Sequence, residues 1–371
     1  MNDINNLFFE LIRIAIGTQD TLTRPPSAKE WQQLYDMAKK QSLVGICFSG
    51  VQHLSNSEAS NYCGMNELQY LTWMGMAAKI QQRNEVVNRQ CAELQAKLSA
   101  DGFRSCVLKG QGVASLYGEH LRGLRQSGDI DIWIEGGAER VIEYVMLKNP
   151  TKEVDNKHIH FHCFSDTEVE AHWSPVYWNA SPKNKILQAY FDTERERQFT
   201  NEENGINVPT ADFQLVHQLL HVYGHYAYEG VGMRQLMDLY YAQLAVFNAK
   251  ESKDYRRRVL TLFENLGFER FVGATQWVMH IVFGLKEELM LIPANASEGK
   301  RLLDDILNGG NFGHYNADNL ITDEYFLHRL YRRWLRKARL FRYDPLCVLY
   351  MPFARIRLEF WMRRIRKQYG L

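Results

Sequence analysis

The chain has 371 residues, of which 46% are hydrophobic and 23% charged, a globular composition that excludes a mostly disordered protein. Its length favours two or three domains. The 44 basic and 43 acidic residues leave a net charge of +1, which excludes a protein whose whole surface coats nucleic acid.

Residues 1–100 form the first predicted region, and the spacing of their apolar residues is helical. Ser27 followed by Glu30 has the pattern of a capping box and predicts the start of a helix. A longer helix is predicted over 66–100, where apolar residues recur at helical spacing until an Asp-Gly pair ends the pattern. We therefore expect an N-terminal helical region.

Residues 101–205 form the second predicted region, and short strands replace the long helices there. Residues 104–108 are a short apolar run typical of a strand, and a short helix is predicted over 111–118. Residues 128–135 alternate strictly, with three isoleucines on one face and two aspartates on the other. A helix is predicted over 138–148. These short elements indicate a small α+β core.

A β-hairpin is predicted over residues 157–173, where two alternating runs flank a Ser-Asp turn. Pairing about this turn places two pairs opposite each other, His162 with Glu170 and His160 with His172. Cross-strand neighbours lie ~4.5–5.5 Å apart, so these side chains are expected to hydrogen-bond.

Three histidines alternate along the first strand of this hairpin, at positions 158, 160 and 162. Zinc binding by all three is disfavoured, because the first and the last lie ~13 Å apart along a strand, and at most two neighbours could share an ion. The favoured interpretation is a polar face whose histidines hydrogen-bond carboxylates.

Residues 206–310 are predicted to form a helical domain. Helices are expected over 210–228 and 233–247, within 255–285 and over 298–308, followed by a loop over 309–316. No element is predicted for the connection 174–209, where the periodicity is weak.

Two of these predicted helices carry polar residues at one-turn spacing. His217, His221 and His225 recur every four residues and line one face, and Arg234 and Asp238 are one turn apart on the next helix. These residues either form a cleft wall that contacts a nucleotide or acceptor, or join two packed helices through buried histidines and an Arg–Asp bridge.

The last predicted region, 311–371, is a basic helical tail. Residues 331–371 contain twelve Lys or Arg and only two acids, whereas the rest of the chain has a net charge of −9. Arginines alternate with Leu, Trp and Phe at helical spacing. This helix either contacts an anionic partner, such as RNA or a membrane surface, or packs its apolar face on the acidic body.

The sequence carries no pattern for secretion or membrane insertion. Its six cysteines are scattered, so free thiols in a reducing compartment are expected. The N-terminus lacks a small-residue cleavage site, and the longest apolar stretch, 271–285, is shorter than the ~20 residues that a membrane span needs. We therefore expect a cytoplasmic protein without a transmembrane segment.

The strand at 128–135 carries the residues with the clearest chemistry. Asp129 and Asp131 project from one face, ~6–7 Å apart along the chain. Two carboxylates this close repel each other unless a cation neutralises them, and Mg²⁺ prefers oxygen ligands. An Asp-x-Asp pair is also common on solvated strand faces, so the metal interpretation depends on its neighbours.

Three neighbours strengthen the metal interpretation. Lys109-Gly110 ends the preceding strand, where backbone N–H groups and an ammonium group could contact a phosphate. Arg125, three residues before Gly128, either steadies a phosphate or the loop or is an ordinary surface residue. Glu170 lies on the face expected to meet the aspartates, which makes it a third candidate ligand.

Together these residues resemble the uncharacterised nucleotidyltransferase family of bacteria, within the polymerase-β-like nucleotidyltransferase superfamily. The resemblance spans roughly residues 30–290 and rests on Leu108-Lys109-Gly110, Tyr117, Arg125-x-x-Gly128-Asp129-Ile130-Asp131, Val169-Glu170-x-His172-Trp173 and His221…Arg234-x-x-x-Asp238. The superfamily usually has a Gly-Ser pair about a dozen residues before its Asp-x-Asp pair. In this chain Gly110 is followed by Gln111 and lies nineteen residues before Asp129.

The resemblance implies an α+β fold, in which a small mixed β-sheet nucleotidyltransferase core is flanked by N-terminal and C-terminal helical regions. It implies transfer of a nucleoside monophosphate from an NTP, expected to be ATP, to a hydroxyl of a protein, small molecule or RNA, with two Mg²⁺ ions. The implied residues are Asp129, Asp131 and Glu170 for metal binding and catalysis, Lys109, Gly110, Arg125 and Gly128 for the nucleotide, and His160, His162, His172, His221, Arg234 and Asp238 around them.

Two other functions stay open. One is a catalytically silent module that senses an NTP or binds a partner on the same fold, although three acidic positions favour an enzyme. The other is a metal-dependent nuclease, which usually has a lysine two residues after the acid of the later strand, where this chain has His172. Convergence of the three carboxylates discriminates between the enzyme and the silent module.

Overall fold

The computed structural model describes residues 3–56, 64–178, 181–203, 205–311, 338 and 340–369. The fold is α+β, as predicted, with many helices, a mixed four-stranded sheet and a sheet of two short strands. Cys63, most of the predicted loop 309–316 and the start of the basic tail lie outside the described residues.

The N-terminal region contains the helices α1 Asp3–Ala15, α2 Ala28–Lys40, α3 Val44–Asn56 and α4 Glu67–Ala100. The predicted capping box of α2 is confirmed, because the Glu30 carboxylate accepts from the Ser27 N–H and the Ser27 hydroxyl accepts from the Glu30 N–H. Asn66 and Gln69 form a second box at α4. These caps satisfy N–H groups that have no partner within the first turn.

The central region runs in the order β1 Ser105–Val107, α5 Gln111–Ala114, α6 Glu119–Arg122, β2 Ile130–Ile134, α7 Gly137–Lys148, β3 His158–His160 and β4 Val169–His172. The helix predicted over 111–118 is shorter, because α5 ends at Ala114.

The connection 174–209 contains α8 Pro182–Thr200 and the paired strands β5 Glu202–Glu203 and β6 Ile206–Asn207. Its periodicity is weak because the buried face of α8 includes the polar residues Glu194 and Gln198.

The C-terminal part contains α9 Ala211–Tyr228, α10 Met233–Asn248, α11 Ser252–Leu266, α12 Glu269–Phe283, a 3₁₀ turn Glu287–Leu289, α13 Ala296–Gly309 and α14 Pro345–Tyr369. Gly267 has φ +61°, and this left-handed conformation ends α11 before α12 begins. The apolar stretch 271–285 is a core helix, as predicted, and corresponds to α12. Among the described helices, none has the length and apolar character that crossing a bilayer requires.

The four-stranded sheet has the order β1-β2-β4-β3, with β2 parallel to β4 and the other neighbours antiparallel. The predicted hairpin register is wrong by two residues, because His158 lies opposite His172 and His160 opposite Glu170. The turn is a longer loop in which Asp166 pairs with Arg83 of α4. A shift of two residues keeps every side chain on its predicted face.

The sheet separates two hydrophobic clusters. The three isoleucines of β2 pack with the C-terminal half of α4 and with α7. On the other face, Trp133 lies among the rings of Phe191, Phe199 and Phe213 from α8 and α9. The face that carries Asp131 is therefore not a solvated strand face, since all five residues of β2 are buried.

Helix α14 packs one of its faces on the described part of the body. Cys347, Met362 and Ile365 are buried, and the rings of Trp361 and Trp173 lie 5.9 Å apart. Another face is exposed, with relative exposures between 44% and 70% for Leu346, Leu349, Phe353, Ile356 and Phe360. The predicted packing of the tail on the body thus holds for one face of this helix.

Candidate functional site

Asp129, Asp131 and Glu170 converge on one face of the sheet. Asp131 lies within β2 and pairs across the parallel ladder with Glu170 on β4, and Asp129 directly precedes β2. One carboxylate oxygen from each residue lies within 4.8 Å of the other two. Asp131 is buried, Glu170 is half-buried and Asp129 is exposed, so the cluster opens to solvent at Asp129. This all-oxygen set could hold divalent cations.

Two basic side chains contact this cluster from neighbouring strands. Lys109, which follows β1, places its Nζ 2.5 Å from Oδ1 of Asp131. His172, at the end of β4, places Nε2 3.0 Å from the same oxygen and 3.0 Å from Oε2 of Glu170. The Lys109 ammonium therefore offsets part of the negative charge that the three carboxylates bring together, and the His172 imidazole lies within hydrogen-bond distance of two of them.

The pKa values within the cluster depend on these close charges. The nearby Asp131 carboxylate raises the pKa of Asp129 to about 6. Burial opposes ionisation of Asp131, but Lys109 and His172 hold its pKa well below the usual range. Burial also opposes ionisation of Glu170, whose pKa the same two groups lower. The negative charge that these neighbouring carboxylates concentrate favours a cation between them.

Glycines shape the turn between β1 and α5. Gly110 has φ +53°, a conformation that glycine adopts readily. A Cβ on Gly112 would lie 2.1 Å from the carbonyl oxygen of Val107, so only glycine fits where α5 approaches β1. The role of Lys109 and Gly110 in phosphate binding stays a prediction, and the contact that the structure gives the Lys109 ammonium is with Asp131.

Arg125 is buried, so its interpretation as a surface residue is wrong. Its guanidinium donates to Asp238 at 2.7 and 2.8 Å, and the Tyr117 hydroxyl donates to the same carboxylate at 2.7 Å. The basic partner that the structure gives Asp238 is thus Arg125, a long-range contact that helical spacing does not reveal. Arg234 donates to the carbonyl oxygen of Gln126 at 2.9 Å.

Helix α10 therefore holds the loop that leads into β2. Asp238 binds Arg125 at the start of this loop, and Nη1 of Arg234 lies 4.0 Å from the position of a Cβ on Gly128. Because Asp129 directly follows Gly128, these contacts position the carboxylate cluster through the loop.

The predicted histidine environment of Glu170 is partly wrong. His160 and His162 lie 3.6 and 3.4 Å from Oε2 of Glu153, a residue that the sequence analysis did not single out. His158, which was not assigned to the surroundings of Glu170, has its Nδ1 3.4 Å from Oε2 of that residue. The register of β3 explains why His158 rather than His162 lies near Glu170, because it places His158 opposite His172 of β4.

The predicted histidine column lines one face of α9. The rings of His217 and His221 lie 6.3 Å apart, and Nε2 of His221 lies 2.7 Å from Nε2 of His225. At the outer end, Nδ1 of His225 lies 2.9 Å from Oε2 of Glu229. Burial, reinforced by the Lys109 ammonium, lowers the pKa of His217 to about 3. The column thus runs from the neighbourhood of the cluster to the surface.

Comparisons with known proteins identify the family of this chain. Neither the curated proteins nor the solved structures include a significant match to this chain. The model of the family described as uncharacterised nucleotidyltransferase matches residues 27–284, which is more than half of the chain and includes the whole four-stranded sheet. The resemblance seen in the motifs is confirmed, and the chain belongs to the uncharacterised nucleotidyltransferase family.

Proposed function

We propose that this chain transfers a nucleoside monophosphate from an NTP, expected to be ATP, to a hydroxyl acceptor. Family membership supports nucleotidyl transfer and an NTP substrate in general terms. The observation that carries the proposal is the convergence of Asp129, Asp131 and Glu170 on a face that opens to solvent. The acceptor is a protein, a small molecule or an RNA.

The proposed reaction is an in-line displacement at the α-phosphorus of the NTP. The acceptor oxygen forms a bond to that phosphorus, the bond to the oxygen bridging the α- and β-phosphates breaks, and pyrophosphate leaves. Two Mg²⁺ ions held by the three carboxylates would supply stabilisation of the developing charge. The family resemblance makes Glu170 the residue expected to accept the hydroxyl proton, and its carboxylate lies 3.0 Å from Nε2 of His172, which orients it.

Basic groups near the carboxylates favour a polyanionic substrate. Lys109 contacts Asp131, and the buried Arg234 lies beside Gly128 at the entry to β2. Positive charge at these places offsets the repulsion that three carboxylates alone would exert on a triphosphate. We assign Arg125 to positioning of the loop, because Asp238 already binds its guanidinium.

The five described cysteines are free thiols, and we infer a reducing, cytoplasmic setting from them.

The test of the proposed function compares Asp129→Asn/Asp131→Asn with Glu168→Gln. The double variant removes two ligand charges while keeping side-chain size, so Mg²⁺-dependent NTP consumption should fall by at least about 10²–10³-fold. Glu168 is an exposed acid two residues before Glu170, and its variant should keep the full rate. A folded double variant with unchanged turnover would place the reaction elsewhere.

Measuring NTP binding and pyrophosphate release together distinguishes the enzyme from the silent module. NTP binding in equilibrium dialysis without pyrophosphate release, in the presence of Mg²⁺ and host lysate, would favour a sensor. Incubation with each radiolabelled NTP, Mg²⁺ and lysate identifies the acceptor as the molecule that becomes labelled.

A further inference from the structure

A second group of potential metal ligands shares Glu170 with the carboxylate cluster. His158 on β3, and Glu170 and His172 on β4, each offer one atom within 4.8 Å of the other two. We propose that these three residues form a binding site for a zinc-class divalent ion. This set differs chemically from the three carboxylates, because imidazole nitrogens suit Zn²⁺ whereas carboxylate oxygens suit Mg²⁺.

The distances between the donor atoms fit a tetrahedral ion. With bonds of about 2.0–2.1 Å, two ligand atoms of tetrahedral zinc lie about 3.3–3.4 Å apart. Nδ1 of His158 is 3.4 Å from Oε2 of Glu170, and Nε2 of His172 is 3.0 Å from the same oxygen. The two histidine rings lie 4.9 Å apart at 62°. The two distances to Glu170 are thus close to the tetrahedral value, and all three donor atoms lie within 4.8 Å of one another.

The strand pairing holds these ligands in place. His158 and His172 are directly opposite in the antiparallel β3–β4 pair, and Glu170 lies two residues before His172 on the same face. Three protein ligands leave a fourth tetrahedral position for water or substrate, which is the pattern of catalytic zinc sites rather than of structural ones.

Unpaired buried nitrogens support this assignment. His158 is only 8% exposed, and within the described part of the chain its Nδ1 has no hydrogen-bond partner, although it lies beside Glu170. A bound ion would satisfy this nitrogen. Nδ1 of the fully buried His172 also lacks a hydrogen-bond partner among the described residues, whichever ring nitrogen carries the proton.

Shared use of Glu170 makes the two donor sets compete. An ion bound by His158 and His172 draws Glu170 away from the aspartates. This consequence rests on the proposed function. Excess Zn²⁺ should inhibit Mg²⁺-dependent NTP consumption, and the fractional inhibition, measured against each protein's own rate without Zn²⁺, should be smaller in His158→Ala than in the unmodified chain.

The binding test titrates the metal-free full chain with Zn²⁺ alone, without nucleotide, by calorimetry and by competition with a chromogenic chelator. We expect one Zn²⁺ per chain and affinity at least about 10–100-fold weaker in His158→Ala. The matched control is His160→Ala, on the same strand and face but next to Glu153, which should bind Zn²⁺ as the unmodified chain does. Zn²⁺ should raise the Tm of the unmodified chain more than that of His158→Ala.

Equal zinc affinity in a folded His158→Ala, or no zinc binding by the unmodified chain, would overturn the proposal. If His158→Ala does not fold, His158→Gln keeps a polar side chain and takes its place. A chain that consumes NTP but binds no Zn²⁺ contradicts only this inference. A chain that binds Zn²⁺ through His158 but consumes no NTP contradicts only the proposed function.

Discussion

Asp129, Asp131 and Asp238 lie near the start of β2, and the side chains around each of them give it a different role. Asp238 is buried and accepts three hydrogen bonds from Arg125 and Tyr117. Asp129 is exposed, and the nearby Asp131 raises its pKa. A carboxylate that accepts two hydrogen bonds from a guanidinium is already neutralised and has a structural role. A carboxylate that repels a neighbouring carboxylate favours binding of a cation. Asp238 therefore holds the loop, and Asp129 is the one of the two for which we propose cation binding.

Asp238→Asn should destabilise the fold strongly, because it leaves the buried Arg125 without its counter-charge. We expect the free energy of unfolding to fall by about 3–5 kcal/mol. Tyr117→Phe removes only one hydrogen bond to the same carboxylate and should cost about 1 kcal/mol. Chemical denaturation of both variants measures the difference. Equal losses in the two variants would contradict a role for the ion pair.

Among the elements, the first turn of α13 anchors the segment that precedes α14. The buried carboxylate of Glu298 accepts hydrogen bonds from Arg270 of α12 and from Arg342 and Tyr343. Although burial opposes ionisation, these donors lower the pKa of Glu298 to about 2. The terminal helix is thus connected to the body through a polar network as well as through its apolar face.

Glu298→Gln should lower the free energy of unfolding by about 1.5–3 kcal/mol at pH 7, because it replaces charge-assisted hydrogen bonds with neutral ones. The folded-state pKa lies below the ordinary value of 4.5, so the stabilisation is present above that pH and is lost as the pH falls toward 2. Denaturation at several pH values should show a constant difference from the unmodified chain between about pH 7 and 5, and a smaller one below about 4.5. A difference that grows on acidification would be inconsistent with this network.

Across the whole molecule, charge is divided between the body and the tail. Residues 331–371 carry twelve basic and two acidic residues, against a net −9 for the remainder. Exposed basic residues accompany the exposed apolar stripe of α14, namely Arg357, Arg363, Arg364 and Lys367. This combination is typical of helices that lie on anionic membrane surfaces. Charges of one sign disfavour pairing of two copies through the same face.

We expect the full chain to sediment with vesicles that contain phosphatidylglycerol and not with pure phosphatidylcholine vesicles. Phe353→Ser/Phe360→Ser should weaken this binding by at least about tenfold, because it removes two large apolar side chains from the stripe. Leu147→Ser, at an exposed leucine of α7, is the matched control and should bind normally. Equal binding to neutral vesicles, or unchanged binding of the double variant, would count against a membrane role. Preferential binding of RNA would favour the other anionic partner.

Local patterns were sufficient for β2, for the capping box of α2 and for the helices with regular apolar spacing. Side chains alternate between the two faces along a strand, so Asp129 and Asp131 share a face whichever elements pack against the sheet. The register of β3 was not predictable, because local spacing does not specify how many residues the loop between β3 and β4 takes up. The division of the chain into four regions stays a prediction.

The sequence by itself determined the α+β class, the family and the shared face of the acidic residues, because composition, motifs and periodicity are properties of neighbouring positions. Only the tertiary structure decided that Arg125 binds Asp238, 113 residues away, and that His158 lies beside Glu170. Such contacts arise when separate elements pack together. Their partners depend on loop lengths and on burial, which local spacing does not specify.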